Sequence, residues 1–267
     1  MQSGDYHVRY TDGVSFRLNT TRSSIEVSAA RTLTDADLAS YLLGPVLGIF
    51  LTLKGLTCLH ASAVEIDGKA VAFAGAEGTG KSTTAAIFAE RGHAVLTDDI
   101  AVVDRTANGF HVRPGYPALN LLPESVTALY GSPDALPTAD PAVEKQQLLL
   151  RSETLRFQAH ALPLGAIFIL DIGEDGAGNF VERFSPREAL IQLAANTYAN
   201  RMLDAEMRAA EFQTLASVVK SVPVLKVRRR TTLDRSGLER LYSTICEAAL
   251  DAIHGKCEPR SSAFPSR

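Results

Sequence analysis

The octapeptide Gly75-Ala76-Glu77-Gly78-Thr79-Gly80-Lys81-Ser82 constrains this chain more than any other feature. It satisfies the pattern GxxxxGK[ST], and its spacing has a chemical reason. Glycines let successive backbone N–H groups turn inward around a polyphosphate, where a β-carbon would obstruct. A helix opening at the loop adds its N-terminal dipole and its free donors. Lys81 carries a positive charge to the β/γ-phosphates, and the Ser82 hydroxyl can ligate Mg²⁺. The context is also present: an apolar run, VAFAG, precedes the loop, and a helical stretch follows to Arg91 and stops at Gly92. Gly75, Gly78, Thr79, Gly80, Lys81, Ser82 and Thr83 are therefore predicted to hold a nucleotide.

Composition sets the frame around that loop. The chain has 267 residues, 27 Lys+Arg against 30 Asp+Glu, and 46% hydrophobic residues. This is the balance of a folded globular protein, and it excludes wholesale disorder and a positive coat for nucleic acid. The length suits one large domain or two small ones, with a core that needs no disulfide or metal staple. The three cysteines, Cys58, Cys246 and Cys257, form no CxxC pair and no zinc spacing, which points to a reducing compartment. The opening MQSGDYHVRY lacks the pattern of a signal peptide. The most apolar stretch, 38–53, is interrupted by Gly44, Pro45 and Gly48 and reads as a helix pair or a kinked helix. The expectation is a cytoplasmic protein with no membrane or nucleic-acid partner.

Along the chain, 6–28 reads as β-rich, with Val14, Phe16 and Leu18 alternating with polar residues after an Asp12-Gly13 turn. A helix is predicted from Thr34, with Asp37 completing its cap, continuing with breaks to Gly55. Strands near 57–66 and 70–74 join through Asp67-Gly68, and a strand AVLT ends at Asp98-Asp99. A hairpin at 100–113 turns at Asn108-Gly109, 131–143 reads as a surface loop, and AIFIL (166–170) as a buried strand. Ser185-Pro186-Arg187-Glu188 has every part of a helix start. Further helices are predicted near 204–220 and 236–253, with a strand around 224–228 between them. The division expected is 1–55 as a small β-rich and helical segment, 56–255 as the catalytic unit, and 256–267 as a flexible tail.

Two further features sit at chemically useful places. Asp98-Asp99 closes a strand seventeen residues beyond Lys81. If that strand ends at the ligand edge of the sheet, the pair faces the phosphates. One carboxylate there can serve Mg²⁺ and the other can accept a proton from an attacking hydroxyl. His60 alone would be unremarkable, since a lone histidine beside a strand is usually structural. It lies fifteen residues before Gly75, however, on a hairpin that folds back into the loop strand, and one end of that hairpin can bring the imidazole to the acidic pair.

The order His60, the loop Gly75 to Ser82, Arg91-Gly92-His93 and Asp98-Asp99 resembles the HPr kinase/phosphorylase catalytic domain, whose members show GDSGxGKS, RGH and ADD. The spacing agrees without insertion over some 40 residues. The resemblance implies an α/β fold, a P-loop kinase core of the HPr kinase and phosphoenolpyruvate carboxykinase type, with a mixed sheet flanked by helices. It implies ATP and Mg²⁺ as cofactors and transfer of phosphate to a serine hydroxyl of a peptide or small protein. By carry-over, Asp98 is the base supported by His60, Lys81 is catalytic, and Asp99 and Ser82 serve the metal; the assignment between the two aspartates stays open.

The chain also departs from that family. A glutamate expected shortly after the acidic pair is missing from His111-Val112-Arg113-Pro114-Gly115-Tyr116-Pro117, although Arg113 keeps the place of an arginine. Arg187 corresponds loosely to a later phosphate-steadying arginine, the alternative being a solvated first-turn residue. About 55 residues of mixed strand and helix replace a separate regulatory domain. With the PGYPALNLLPES segment, these departures are more similar to short HPr-kinase-like proteins of ribosomal peptide clusters. Among them are lasso-peptide tailoring kinases, which phosphorylate the precursor's C-terminal serine. Tyr116 and Lys145 are then candidate substrate or nucleotide contacts, against ordinary packing or solvation. The competing readings are an HPr-type serine kinase/phosphorylase, a small-molecule kinase or ATPase, and a nucleotide-sensing peptide-binding module. The run Arg228-Arg229-Arg230 reads as a solvated strand end, and homo-oligomerisation stays open.

Overall fold

In the computed structural model, residues 4–30, 33–140, 145–173, 180–198, 202–229 and 234–255 are described. The chain opens with an antiparallel sheet of β1 (Asp5–Arg9), β2 (Ser15–Asn19) and β3 (Ser24–Ser28). Phe16 and Leu18 alternate inward along β2, and with Val14 they are buried. Helix α1 (Asp35–Tyr41) starts at Thr34, whose hydroxyl and the Asp37 carboxylate cap each other's backbone. A π-helical turn at Leu42–Val46 follows, broken at Gly44 (φ −105°, ψ −106°), and then α2 (Leu47–Leu53). Pro45 lacks the N–H that a continuous α-helix would use, so the apolar run kinks instead of forming one rod. Its inner face packs on the small sheet and on Leu203.

The larger part is mixed α/β. β4 (Thr57–Ile66) and β5 (Lys69–Ala74) form a hairpin, Asp67 and Gly68 both taking positive φ at its turn. Then come α3 (Lys81–Glu90), β6 (Val95–Thr97), β7 (Ile100–Thr106), β8 (Gly109–Val112), β9 (Ala118–Leu121), α4 (Pro123–Tyr130), β10 (Thr138–Asp140) and β11 (Lys145–Leu149). The chain ends with β12 (Leu162–Ile172), β13 (Phe180–Arg183), α5 (Pro186–Ala195), α6 (Ala205–Ser221), β14 (Val224–Arg229) and α7 (Arg235–Ile253). The main sheet has eight strands in the order β13-β14-β12-β5-β4-β7-β8, with β6 also on β4. The first residues of β12 pair back on β8, so β4, β5, β12, β8 and β7 close into a ring of hydrogen-bonded neighbours. Among the described strand pairings only β5–β12 and β12–β14 are parallel, so the sheet is mixed and not doubly wound.

Two apolar layers cover this sheet. Along β5, Val71 and Phe73 face α3 and α7, while Ala70, Ala72 and Ala74 face α5 and α6. Phe73 meets Phe88 at 5.3 Å and Phe168 at 6.4 Å between ring centroids. Burying each such ring contributes about 1.5–3 kcal/mol. Among the described residues, no helix is long and apolar enough to cross a membrane.

The sequence reading of 131–143 as loop needs correction. Thr138–Asp140 is a short strand paired with β11, because β11 and β9 form a second small sheet that leaves an edge to be filled. Residues 141–143 and the expected tail 256–267, with Cys257, lie outside the described residues.

Candidate active site

Strand direction gathers the site. β5, β12 and β14 end at one edge, and β6, antiparallel to β4 as β5 is, ends there too. That edge receives the P-loop from β5 and Asp98-Asp99 from β6. The β4–β5 register sets Ala61 opposite Ala74, which leaves His60 opposite the first loop residue. A cleft of about 1040 Å³ opens there, at or above the roughly 300–1,000 Å³ typical of a small-ligand site.

The loop has the geometry its glycines predict. Gly75, Gly78 and Gly80 take φ of 151°, 78° and 89°. A β-carbon on Gly75 would lie 2.8 Å from the Leu170 carbonyl, so only glycine fits between the loop and β12. Lys81 Nζ donates to the Gly75 and Ala76 carbonyls, both at 3.1 Å. Burial lowers the Lys81 pKa against the raising charges of Asp99, Asp98 and Glu77. Thr83 shares a 2.7 Å hydroxyl–hydroxyl bond with Ser125 of α4. Gly78, Gly80, Lys81, Ser82 and Thr83 line the cleft, whereas Gly75 and Thr79 supply its backbone frame.

The two aspartates point different ways. Asp98 is 2% exposed and turned inward. Its Oδ1 accepts from Ser62 at 2.7 Å and from Ser82 at 2.9 Å, and its Oδ2 accepts from the Asn120 N–H at 3.0 Å. Burial drives its pKa up, and these hydrogen bonds offset that only in part. Asp99 takes φ 69°, a left-handed conformation that aspartate tolerates, and this flips its side chain to the cleft wall. There His60 Nε2 lies 2.9 Å from Asp99 Oδ1, each side chain about one third exposed. Burial pushes the Asp99 carboxyl up, but the His60 hydrogen bond and charge, the Lys145 charge and Tyr198 together outweigh it and hold it below its ordinary value.

This corrects the pairing carried over from sequence. His60 supports Asp99, not Asp98, and Asp98 is the carboxylate beside Ser82. Consecutive residues leaving a strand end face opposite ways, and the left-handed turn at Asp99 exaggerates the divergence. Asp98 is not among the residues that line the cleft an alcohol would enter, whereas Asp99 is.

Other sequence candidates separate clearly. Lys145, at the start of β11, lines the cleft. Arg113 does not: it is half exposed on the β7–β8 hairpin, where it pairs with Asp104. A cross-strand carboxylate there satisfies its guanidinium locally. Arg187 is exposed in the first turn of α5, while the other end of that helix reaches β4, where Asn196 O accepts from the His60 N–H. Nine residues of helix rise, about 14 Å, separate the two ends. Tyr116 is half-buried outside the cleft and accepts from Asn120 Nδ2 at 2.7 Å. Arg229 reverses the reading of a solvated strand end, since it is 6% exposed. Its Nε donates to Thr79 O at 2.8 Å and its Nη2 lies 3.4 Å from Gly78 O. It thus holds two carbonyls of the loop from behind. Arg228 instead pairs with Asp171 and lies over Phe180, and Arg230 is outside the described residues.

Sequence reasoning missed several more residues. Ser62 shares a face with His60 two residues earlier, a period-2 signal that was legible. Asn120, Tyr198 and the wall formed by Tyr10, Asp12, Tyr41 and Pro45 carry no local motif. Tyr198 donates to the Asp99 carbonyl at 3.0 Å, and its ring lies 5.5 Å from His60.

No protein-family model and no curated protein matches the chain. Among solved structures, the HPr(Ser) kinase/phosphatase from Coxiella burnetii is similar over 73% of this chain and 97% of that chain, at 12% identity and a TM-score of 0.36. At that distance the chemistry has to be read from this chain's own residues.

Proposed function

We propose that the protein is an ATP-dependent kinase with a core of the HPr kinase type, which transfers the γ-phosphoryl group to a serine hydroxyl of a peptide or small protein. A lasso-peptide precursor with a C-terminal serine is the particular acceptor this reading favours. One observation carries it: a proton-accepting pair, Asp99 with His60, stands at the rim of the same cradle whose Ser82 is bonded to a second carboxylate. A module that only sensed nucleotide would have no use for the first pair.

Each residue then has a task. Loop N–H groups and Lys81 hold the β- and γ-phosphates. Ser82 and Asp98 fit Mg²⁺: both offer oxygen, as a hard cation requires, and Oδ1 of neighbouring Asn120 is buried with no hydrogen-bond partner. Bound there, the ion neutralises charge on the phosphate oxygens. Asp99 takes the serine proton as the new O–P bond forms and the β,γ-bridging bond breaks, with ADP leaving. A carboxylate held below its ordinary pKa is a weak base, so that proton moves late. His60 Nε2–H orients the carboxylate, and Lys145 stands where it can meet charge on the transferring group.

Mass spectrometry of serine-ended peptides incubated with ATP and Mg²⁺ tests this. The expected product is one phosphate per peptide, absent with Lys81→Ala, which should also lose ATP binding by calorimetry. ATP bound tightly with no product from any acceptor would overturn the kinase reading and leave the sensing module.

A further inference from the structure

We propose that Gly44, in the kinked helix near the N-terminus, is a positioning residue for the Asp99 carboxylate, so that this first part of the chain belongs to the catalytic apparatus. This rests on the reading of Asp99 as the proton acceptor. His60 meets Oδ1 of Asp99, and Oδ2 is the oxygen turned toward the kinked helix. Oδ2 lies directly against Gly44, where a β-carbon would be 2.8 Å away. Any larger residue must displace the carboxylate or cover Oδ2.

The next turn of the same segment repeats the device. A β-carbon on Gly48 would lie 2.6 Å from the Tyr198 ring, and the Tyr198 hydroxyl donates to the Asp99 carbonyl at 3.0 Å. Two glycines four apart thus receive the carboxylate and the tyrosine that fixes its backbone. Tyr198 is itself tied to β4 through its N–H to Cys58 O, two residues from His60. The π-helical turn at Leu42–Val46 and Pro45 bring Gly44 to this place, and the Gly44 backbone leaves helical angles there. Such turns recur where a helix is bent to serve a site. Aspartate tolerates the left-handed φ of Asp99, and these contacts fix the side chain that this φ turns toward the cleft.

The test uses the full chain and reads two things. With ATP, Mg²⁺ and a phosphorylatable serine peptide, Gly44→Ala should lower kcat at least tenfold while KM for ATP stays within twofold. Tyr198→Phe, which keeps the ring and loses the hydroxyl, should lower kcat several-fold with the same split. Leu43→Ala, in the same turn but 38% exposed, should leave kcat within twofold. Independently of turnover, the His60 Nε2–H signal in spectra of ¹⁵N-labelled protein should be present in the wild type and lost or strongly shifted in Gly44→Ala. Folded Gly44→Ala and Tyr198→Phe proteins with wild-type kcat would overturn the proposal, as would equal losses of kcat and ATP binding. A wild type that transfers no phosphate, yet whose His60 signal responds to Gly44→Ala, would overturn the kinase reading while supporting the positioning geometry.

Discussion

Arg229 shows what one side chain does for a loop whose carbonyls it holds. Turning the P-loop N–H groups toward a phosphate sends its C=O groups outward, and buried C=O groups need donors. Arg229 supplies charged donors to Thr79 and Gly78 and places its guanidinium behind Gly80, where a β-carbon would lie 3.2 Å from Nη2. Arg229→Gln should cost about 1–3 kcal/mol through the acceptors it strands, seen as a lower denaturation midpoint. It should also weaken ATP binding about tenfold, about 1.4 kcal/mol, by calorimetry. Unchanged ATP affinity would mean that the loop holds its shape unaided. Cys58 gives a second prediction: burial pushes its thiol up to about 12. In native protein it should resist alkylation at pH 8 and react only on unfolding, while partly exposed Cys246 labels first.

At the scale of elements, α3 carries the loop's rigidity into the core. Of its ten residues, eight are buried, so it is enclosed on all sides and is not an amphipathic surface helix. Phe88 meets Phe73, Tyr242 and His93 with centroids within 5.3 Å. Phe88→Ala should cost about 3–5 kcal/mol, measured as a drop in urea midpoint with unchanged slope. A loss below 1 kcal/mol would mean that the P-loop does not depend on this anchor. Elements like α3 were legible because strand, loop and helix each follow from local chemistry. So were the β4–β5 hairpin, from Asp67-Gly68, and α5, from Ser185 and Glu188. β9, β11 and β13 were missed because they are four or five residues long and do not alternate cleanly, as Val14, Phe16 and Leu18 do at β2. α4 had a readable start at Pro123 and a stop at Gly131, and went unread.

For the whole molecule, the site is composite. P-loop and acidic pair could be read from one stretch of sequence, but Arg229, Tyr198 and Gly44 reach it from β14, from the segment after α5 and from the first kinked helix. No spacing rule links positions that far apart. Nor could sequence tell which aspartate turned inward, because that depends on one backbone angle at Asp99. Acid stability is set at the same scale. Asp5, Asp12, Asp37, Glu188 and Asp234 are held below ordinary values of 3.8 or 4.5 by hydrogen bonds to side chains and backbone. A depressed folded pKa adds stability that is present above the unfolded value and lost as pH falls through the folded one. The melting temperature should therefore hold from neutrality to about pH 5 and fall below about pH 4. A rise on acidification would show that the raised Asp98 and Glu211 dominate instead. The most direct test of the central claim compares Asp99→Asn with Asp98→Asn for phosphoryl transfer and for ATP binding with and without Mg²⁺. Asp99→Asn is expected to lose transfer at least a hundredfold with ATP affinity unchanged, and Asp98→Asn to lose the Mg²⁺-dependent part of binding. Wild-type transfer by Asp99→Asn would contradict it.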